Sequence, residues 1–397
     1  MSFTEVTNTS IFGRLGGAFK GIIVGLVMMV ISVPLLFWNE GRAVHRAMTL
    51  AQGRGAVVEN VASESVDAAN EGKLVHMTGT ATSQETLEDP KFGIGVDNAI
   101  KLHRTVEMFQ WEEDVSTKTR KKLGGGEETV KEYSYSKQWS EDQIDSSDFH
   151  SQGQSTYGSG NPPMPFSSNT RQASKVDFGA FQLSDSQTGR ISQFEDLTLS
   201  QSDLDKVPDE AFKAKLKLEG NMLYLGENPQ SPQIGDVRVW FSSVGDSDIS
   251  FIYQQSGNSF QPYQFPKGSI QLFEMGTHSA DELFTHAETA NKVLTWILRF
   301  AGFLLMAFGI GLCLRPLAVM GDIVPFIGGM VGFAIAIVSA LVAGGISLIV
   351  ISIAWLFYRP VLAIILIAVA IGLFILVRKF LPKKPETLPD DGIPVVG

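Results

Sequence analysis

Long apolar runs stand at the two ends of the chain, while over residues 39–292 apolar and polar positions mostly alternate. The runs are Gly21–Trp38, Val293–Leu314, Val324–Phe357 and Val361–Val377, and Arg299 is the one charge in all four. The first run, eighteen residues, rises ~27 Å as a helix, enough for a hydrocarbon core of about 30 Å with slight extension. Arg14 and Lys20 before it resemble a signal-peptide n-region. The run is longer than a signal core of about 7–15 residues, and no A-x-A-like site follows, so an uncleaved anchor is predicted.

Each of the other runs has its own local signal. Ser279-Ala-Asp-Glu282 is a capping-box pattern, opening an amphipathic helix that enters the membrane at Val293. Arg299 lies about one turn inside, where its stem can reach the headgroups. The third run would span ~51 Å as one helix. Gly328-Gly329 and Gly344-Gly345 are its weak points, and the preferred reading is an interfacial piece at 324–333 and a span at 334–357, with a re-entrant piece packed against protein as the alternative. Tyr358-Arg359-Pro360 then turns the chain, with proline opening the last helix and closing a tight helical hairpin. Gly17, Gly21 and Gly25 recur every four residues, a helix-packing face if another helix approaches there. The same glycines are tolerable on a lipid-facing helix.

Charge sets the orientation. Arg378, Lys379, Lys383 and Lys384 follow the last run as Arg14 and Lys20 precede the first, so both termini are expected in the cytoplasm. Four spans then place residues 39–292 outside. Trp38, Trp296, Arg299, Trp355, Tyr358 and Arg359 fall at the outer membrane interface under this topology. The expected order is a tail at 1–20, helix 1 at 21–38, the outer domain at 39–292 and helix 2 at 293–314. A cytoplasmic loop with interfacial segment at 315–333, helix 3 at 334–357, helix 4 at 361–377 and a tail at 378–397 complete it.

The middle reads as β-rich. In Ala99–Glu112, Ile100, Leu102, Val106 and Met108 share one face, which Arg104 interrupts. Val130–Trp139 places Tyr133, Tyr135 and Trp139 on one face. Together they predict a β-hairpin whose tip is the loop KTRKKLGGGEE. A second hairpin is expected from Asp236–Ser242 and Asp248–Gln254 around Gly245-Asp-Ser247. Lys73–Thr82 is a further strand, and Asp209–Lys217 a further helix. The uncharged Ser151–Thr170 reads as a linker. The fold class is therefore an α+β membrane protein, with four transmembrane helices and a barrel- or sandwich-like outer domain between helices 1 and 2.

Composition narrows the chemistry. Residues 39–292 hold 23 Lys/Arg against 37 Asp/Glu, which argues against nucleic acid as a partner. The single cysteine, Cys313, excludes a disulfide framework. No G-x-S-x-G, H-E-x-x-H or G-x-G-x-x-G occurs. His278, Glu282 and His286 share a predicted helix face, but i and i+8 lie ~12 Å apart, too far for one ion. No catalytic, cofactor or metal site is therefore predicted. Arg104, Trp111 and Trp139 are carried as possible partner contacts.

Several segments together resemble one family. They are Asn39-Glu-Gly-Arg-Ala43, Asn70-Glu-Gly-Lys-Leu-Val-His76, Lys101-Leu-His-Arg-Thr-Val-Glu-Met-Phe-Gln-Trp111 and Tyr133-Ser-Tyr135 through Trp139. Glu227-Asn-Pro229 with Gly235-Asp-Val-Arg238, and Trp355-Leu-Phe-Tyr-Arg-Pro360, complete the set. Their order is similar to that of the transmembrane protein 43 (LUMA) family. The resemblance implies a four-span protein with a large lumenal or periplasmic domain that self-associates and organises membrane-protein complexes, with an ion-conductance role also proposed. Animal members sit in the endoplasmic reticulum and inner nuclear membrane with lamin and emerin partners, a link not carried over here. The one sequon, Asn8-Thr-Ser10, lies in the expected cytoplasmic tail, which fits a bacterial inner membrane with a periplasmic domain at least as well. The expected function is a non-enzymatic scaffold without cofactor, its partners membrane lipids, further copies of itself as a homo-oligomer and other membrane proteins. An oligomeric channel or conductance modulator is the alternative, and an enzyme acting on lipid or envelope polymer a third reading.

Overall fold

Ser10 starts a helix that does not stop at Trp38, the expected end of the first span. Its hydroxyl accepts from the Gly13 amide at 3.2 Å, and α1 runs from Ile11 to Ala56, ~69 Å long, with Pro34 inside it. Ser279 and Glu282 form the expected capping box, and α2 runs from Ala280 to Gly321. α3 runs from Pro325 to Tyr358. The structure, a computed structural model, describes residues 2–361 together with 364, 365 and 368. Among these, three helices are long and apolar enough to cross a membrane. The expected fourth span and the basic tail lie outside the described residues. α3 corrects one expectation: Gly328-Gly329 does not divide it, since glycine in a helix costs only about 1 kcal/mol relative to alanine.

Between α1 and α2 the chain builds two main antiparallel sheets. Ser2–Thr9 (β1), Leu74–Thr82 (β2), Lys101–Lys121 (β3), Glu127–Ser140 (β4), Val237–Val244 (β5) and Ser247–Ser256 (β6) are their principal strands. The eight-stranded sheet runs β1-β4-β3-β5 and continues through Met222–Leu225 to Leu216–Glu219. The six-stranded sheet has β6 and β2 at its centre. One apolar cluster draws on both sheets, with Val106, Met108, Val239 and Phe241 from the first and Met77, Ile249 and Phe251 from the second. Both sheets also mix strands from before and after Ser151–Thr170, so that segment is a connection within one domain.

Three local expectations change. β5 and β6 are consecutive but do not pair with each other: β5 pairs with β3, and β6 with β2. Val237, Val239 and Phe241 are buried as expected, as are Ile249, Phe251 and Tyr253, but in two sheets across one core. The chain switches sheets at Gly245-Asp246, a corner that strand alternation alone cannot distinguish from a hairpin turn. The first hairpin is present, but its strands extend to Lys121 and Glu127, leaving only residues 122–126 as its tip. Backbone pairing carries the outer part of these strands, Glu112–Lys121 with Glu127–Ser136, where Tyr133 alone is buried. The predicted helix at Asp209–Lys217 shortens to Glu210–Lys213 and gives way to a strand.

Beyond the core, β3 and β4 form a ribbon with β1 on its edge, Val6 opposite Val130. Its tip meets the far ends of the helices. Arg14 donates to the Gly125 carbonyl at 2.6 Å and to Asp322 at 2.5 Å, and Lys121 reaches Asp322 at 2.6 Å. The expected tail is thus a strand on the sheet domain's own hairpin. Arg14 and Arg46, which bonds the domain at Ser269, are separated by ~48 Å of helix. A ribbon carrying Glu112, Glu113, Asp114, Lys118 and Arg120 cannot lie in hydrocarbon over that length. A bilayer-spanning α1 with residues 39–292 opposite 1–20, and this β1–β4 pairing, are therefore mutually exclusive arrangements.

Candidate functional site: a polar clamp where helices meet domain

Asn39, Glu40, Gly41, Arg42 and Ala43 follow directly on the first apolar run, and because α1 continues unbroken they remain on a helix packed against α2 and α3. Glu40 is fully buried. Its carboxylate accepts from Arg299 Nε at 2.6 Å and Nη2 at 2.8 Å, the two-pronged geometry that suits guanidinium to carboxylate. Trp355 Nε1 of α3 donates to the same carboxylate at 2.8 Å. The Arg299 guanidinium also lies over the Trp296 ring, 4.8 Å from its centre. One acid therefore ties three helices together.

Its neighbours extend the seam. Asn39 donates to the Thr295 carbonyl at 3.0 Å. Arg42 donates to Asn291 Oδ1 at 2.9 Å and Thr295 Oγ1 at 3.0 Å, and Asn291 returns a bond to the Ala43 carbonyl at 3.0 Å. Gly41 leaves space for an aromatic ring: a Cβ there would stand 2.6 Å from Tyr358 Cζ. Tyr358 also packs on Phe37 and His45, with centroids at 5.4 and 5.7 Å.

Beyond the seam both helices enter the domain. Leu50 of α1, with Leu283 and Phe284 of α2, joins Leu74, Ile252, Ile270 and Leu272 in a second apolar cluster. Arg54 of α1 pairs with Asp281 and Glu288 of α2.

Of the predicted interface residues, Trp296, Arg299 and Trp355 meet around Glu40, and Tyr358 meets Gly41. Arg359 lines a hollow with Trp296 and Arg299. Trp38 is 57% exposed. Of the glycine face, only Gly25 is in close contact, backbone to backbone with Gly309 of α2. A Cβ on Gly21 would make ordinary contact with Leu312 at 3.7 Å, and one on Gly17 would meet nothing.

The possible partner contacts are engaged within the domain. Arg104 pairs with Asp89 at 2.7 Å and donates to the Ser167 carbonyl. Lys137 lies over Trp111 and Arg238 over Trp139. His286 bonds Glu274 and Glu282 caps α2 through Ser279. Among the described residues no group of three His, Cys, Asp or Glu is placed to hold a metal ion.

Sequence reasoning missed Glu40, Asn39, Arg42, Asn291 and Thr295 as site residues. The available signal was an acid two residues past one apolar run and an arginine one turn inside another.

Comparison with known proteins adds the family context. A family model described as Transmembrane protein 43 matches residues 108–360. A human protein named "Transmembrane protein 43" is 32% identical over 383 residues, covering 94% of this chain and 92% of its own. An orang-utan protein of that name is 33% identical over 385 residues. A Drosophila melanogaster homologue is 29% identical over 346 residues, covering 85% and 89%. These relatives are animal proteins, which gives the bacterial expectation no support, and their names are those of membrane proteins rather than enzymes. No solved structure matches.

Proposed function

The chain belongs to the transmembrane protein 43 family, and from that premise we propose that it is a non-enzymatic membrane protein that self-associates and organises membrane-protein complexes. The observation that carries this reading is continuity. α1 and α2 run from exposed apolar segments into the domain core without a break, and the Glu40 clamp fixes α3 to both. A domain joined this way sits at a fixed height over the membrane and turns with its helices, as a platform for partners requires. The apolar faces of α1 and α3, with Ile23, Val30, Leu341 and Leu348 exposed, are open to lipid and to neighbouring spans. A fourth span, cytoplasmic termini and a closed barrel or sandwich outside complete the proposal, and this topology requires that in a bilayer β1 and the ribbon tip leave the positions described above. The membrane is that of the endoplasmic reticulum and nucleus, as the resemblance implies.

One observation favours the channel alternative. Ser339 and Ser347 of α3 are buried, and among the described residues their hydroxyls have no partner. Eight residues apart, they lie inside the protomer, Ser339 facing Gly311 of α2, so a polar path would run between the chain's own helices. Planar-bilayer recording on the purified chain, with chemical cross-linking in native membranes, separates the readings. Cross-linked multimers without current support the scaffold, and unitary currents without stable multimers overturn it.

A further inference from the structure

On the face of α1 turned away from Ala43 and Ala47, a hollow of about 390 Å³ opens between the helix, Lys267-Gly268 and Tyr358. Arg42, His45, Arg46 and Lys267 line it, and no acid does. In a chain of net charge −10 such a concentration of cations without counter-charge calls for an anion. Glu40, whose charge reaches Arg42, is occupied by Arg299 and Trp355. Arg42 spends both Nη atoms on Asn39, Asn291 and Thr295 along the seam, and its buried Nε has no hydrogen-bond partner among the described residues. Arg46 spends one nitrogen on the Ser269 carbonyl at 2.8 Å. Burial first, and then the charge of Arg42, hold the Arg46 guanidinium below its ordinary pKa, so the like charges remain uncompensated.

The level of the hollow indicates what fills it. Trp38 and Tyr358 are among its lining residues, aromatics of the kind that sit at headgroup depth. Next to Tyr358 in the chain, Phe357 is 70% exposed, and Val361 just beyond it is 71% exposed, apolar surface suited to an acyl chain. We propose that this hollow binds the phosphate-bearing headgroup of an anionic membrane lipid. Basic pockets beside membrane helices take such headgroups through charge and donor geometry together. A free phosphate shares the chemistry but has no use for that apolar surface.

The test uses the full-length chain in detergent, with thermal unfolding followed against added phosphatidic acid, phosphatidylcholine of the same acyl chains, and inorganic phosphate. Phosphatidic acid should raise the midpoint, and the other two should not at equal concentration. In the Arg46→Gln/Lys267→Gln variant the half-effective concentration should rise roughly 10- to 30-fold. If that variant fails to fold, Lys267→Gln alone serves, because Lys267 is exposed, and it should raise that concentration by about fivefold. An equal response to phosphatidylcholine, an equal response to inorganic phosphate, or a variant that responds like the wild type each overturns the proposal.

Discussion

Glu40 and Arg299 hold each other at 2.6 and 2.8 Å across the α1–α2 seam, with Glu40 wholly buried and the Arg299 side chain 16% exposed. A buried pair of this kind is costly to break from one side, about 3–5 kcal/mol, because the remaining charge loses its partner. Glu40→Leu and Arg299→Leu should each lower the thermal midpoint in detergent markedly. The Glu40→Leu/Arg299→Leu double variant should recover much of the loss, since an apolar pair of similar volume removes both charges. Additive losses in the double variant would show that the two residues do not act as a pair.

The glycine face gives a second prediction. Gly25 and Gly309 touch backbone to backbone, and a Cβ on Gly309 would stand 2.7 Å from the Gly25 carbonyl oxygen. Gly25→Leu should destabilise by at least about 1–3 kcal/mol, the range for overpacking, without changing oligomer mass. Gly17→Leu should be silent. An altered mass with an unchanged midpoint in Gly25→Leu would move that contact from within the protomer to between protomers.

The ribbon tip is a pH-dependent contact. Burial pushes the Asp322 carboxyl up, but hydrogen bonds from Lys121 and Arg14, reinforced by their charges, leave it below its ordinary value. A carboxylate lowered in the folded state adds stability that is present above its unfolded pKa, near 3.8 here, and is lost as the pH falls through the folded value. In detergent, Asp322→Asn should speed tryptic cleavage at Lys121 and Lys122 severalfold near neutral pH. Equal cleavage rates in wild type and variant would show that Asp322 does not hold the tip.

Sequence alone carries the apolar helices and the Ser279 cap, because both depend on residues close together in the chain. It also carries the inward faces of β5 and β6, since burial alternates with the pleat. The partners of those strands are not legible, because pairing with β3 and β2 joins residues more than 100 positions apart. The clamp is hidden for a related reason. Glu40 lies outside the apolar run by hydropathy, and its burial comes from Arg299 and Trp355, more than 250 residues later. The charged half of the β3–β4 ribbon buries only Tyr133 and so leaves no period in the sequence.

The β1–β4 pairing has its own test. With Cys313 replaced, cysteines at Val6 and Val130, direct partners in the register, lie within disulfide range when the strands pair. If α1 spans a bilayer, the charged ribbon cannot cross beside it. The disulfide should then form in detergent and not in sealed membranes. Its formation in intact membranes would place the N-terminal strand and the outer domain on one side, and would remove the four-span topology.

Self-association is the claim on which the scaffold account rests. It is read most directly from the mass of the full chain extracted with its native lipids into polymer-bounded discs and measured particle by particle. The protomer is 43.2 kDa. The account predicts a protein mass of two or more protomers that persists on dilution. A single population carrying one 43.2 kDa chain at every concentration would contradict it.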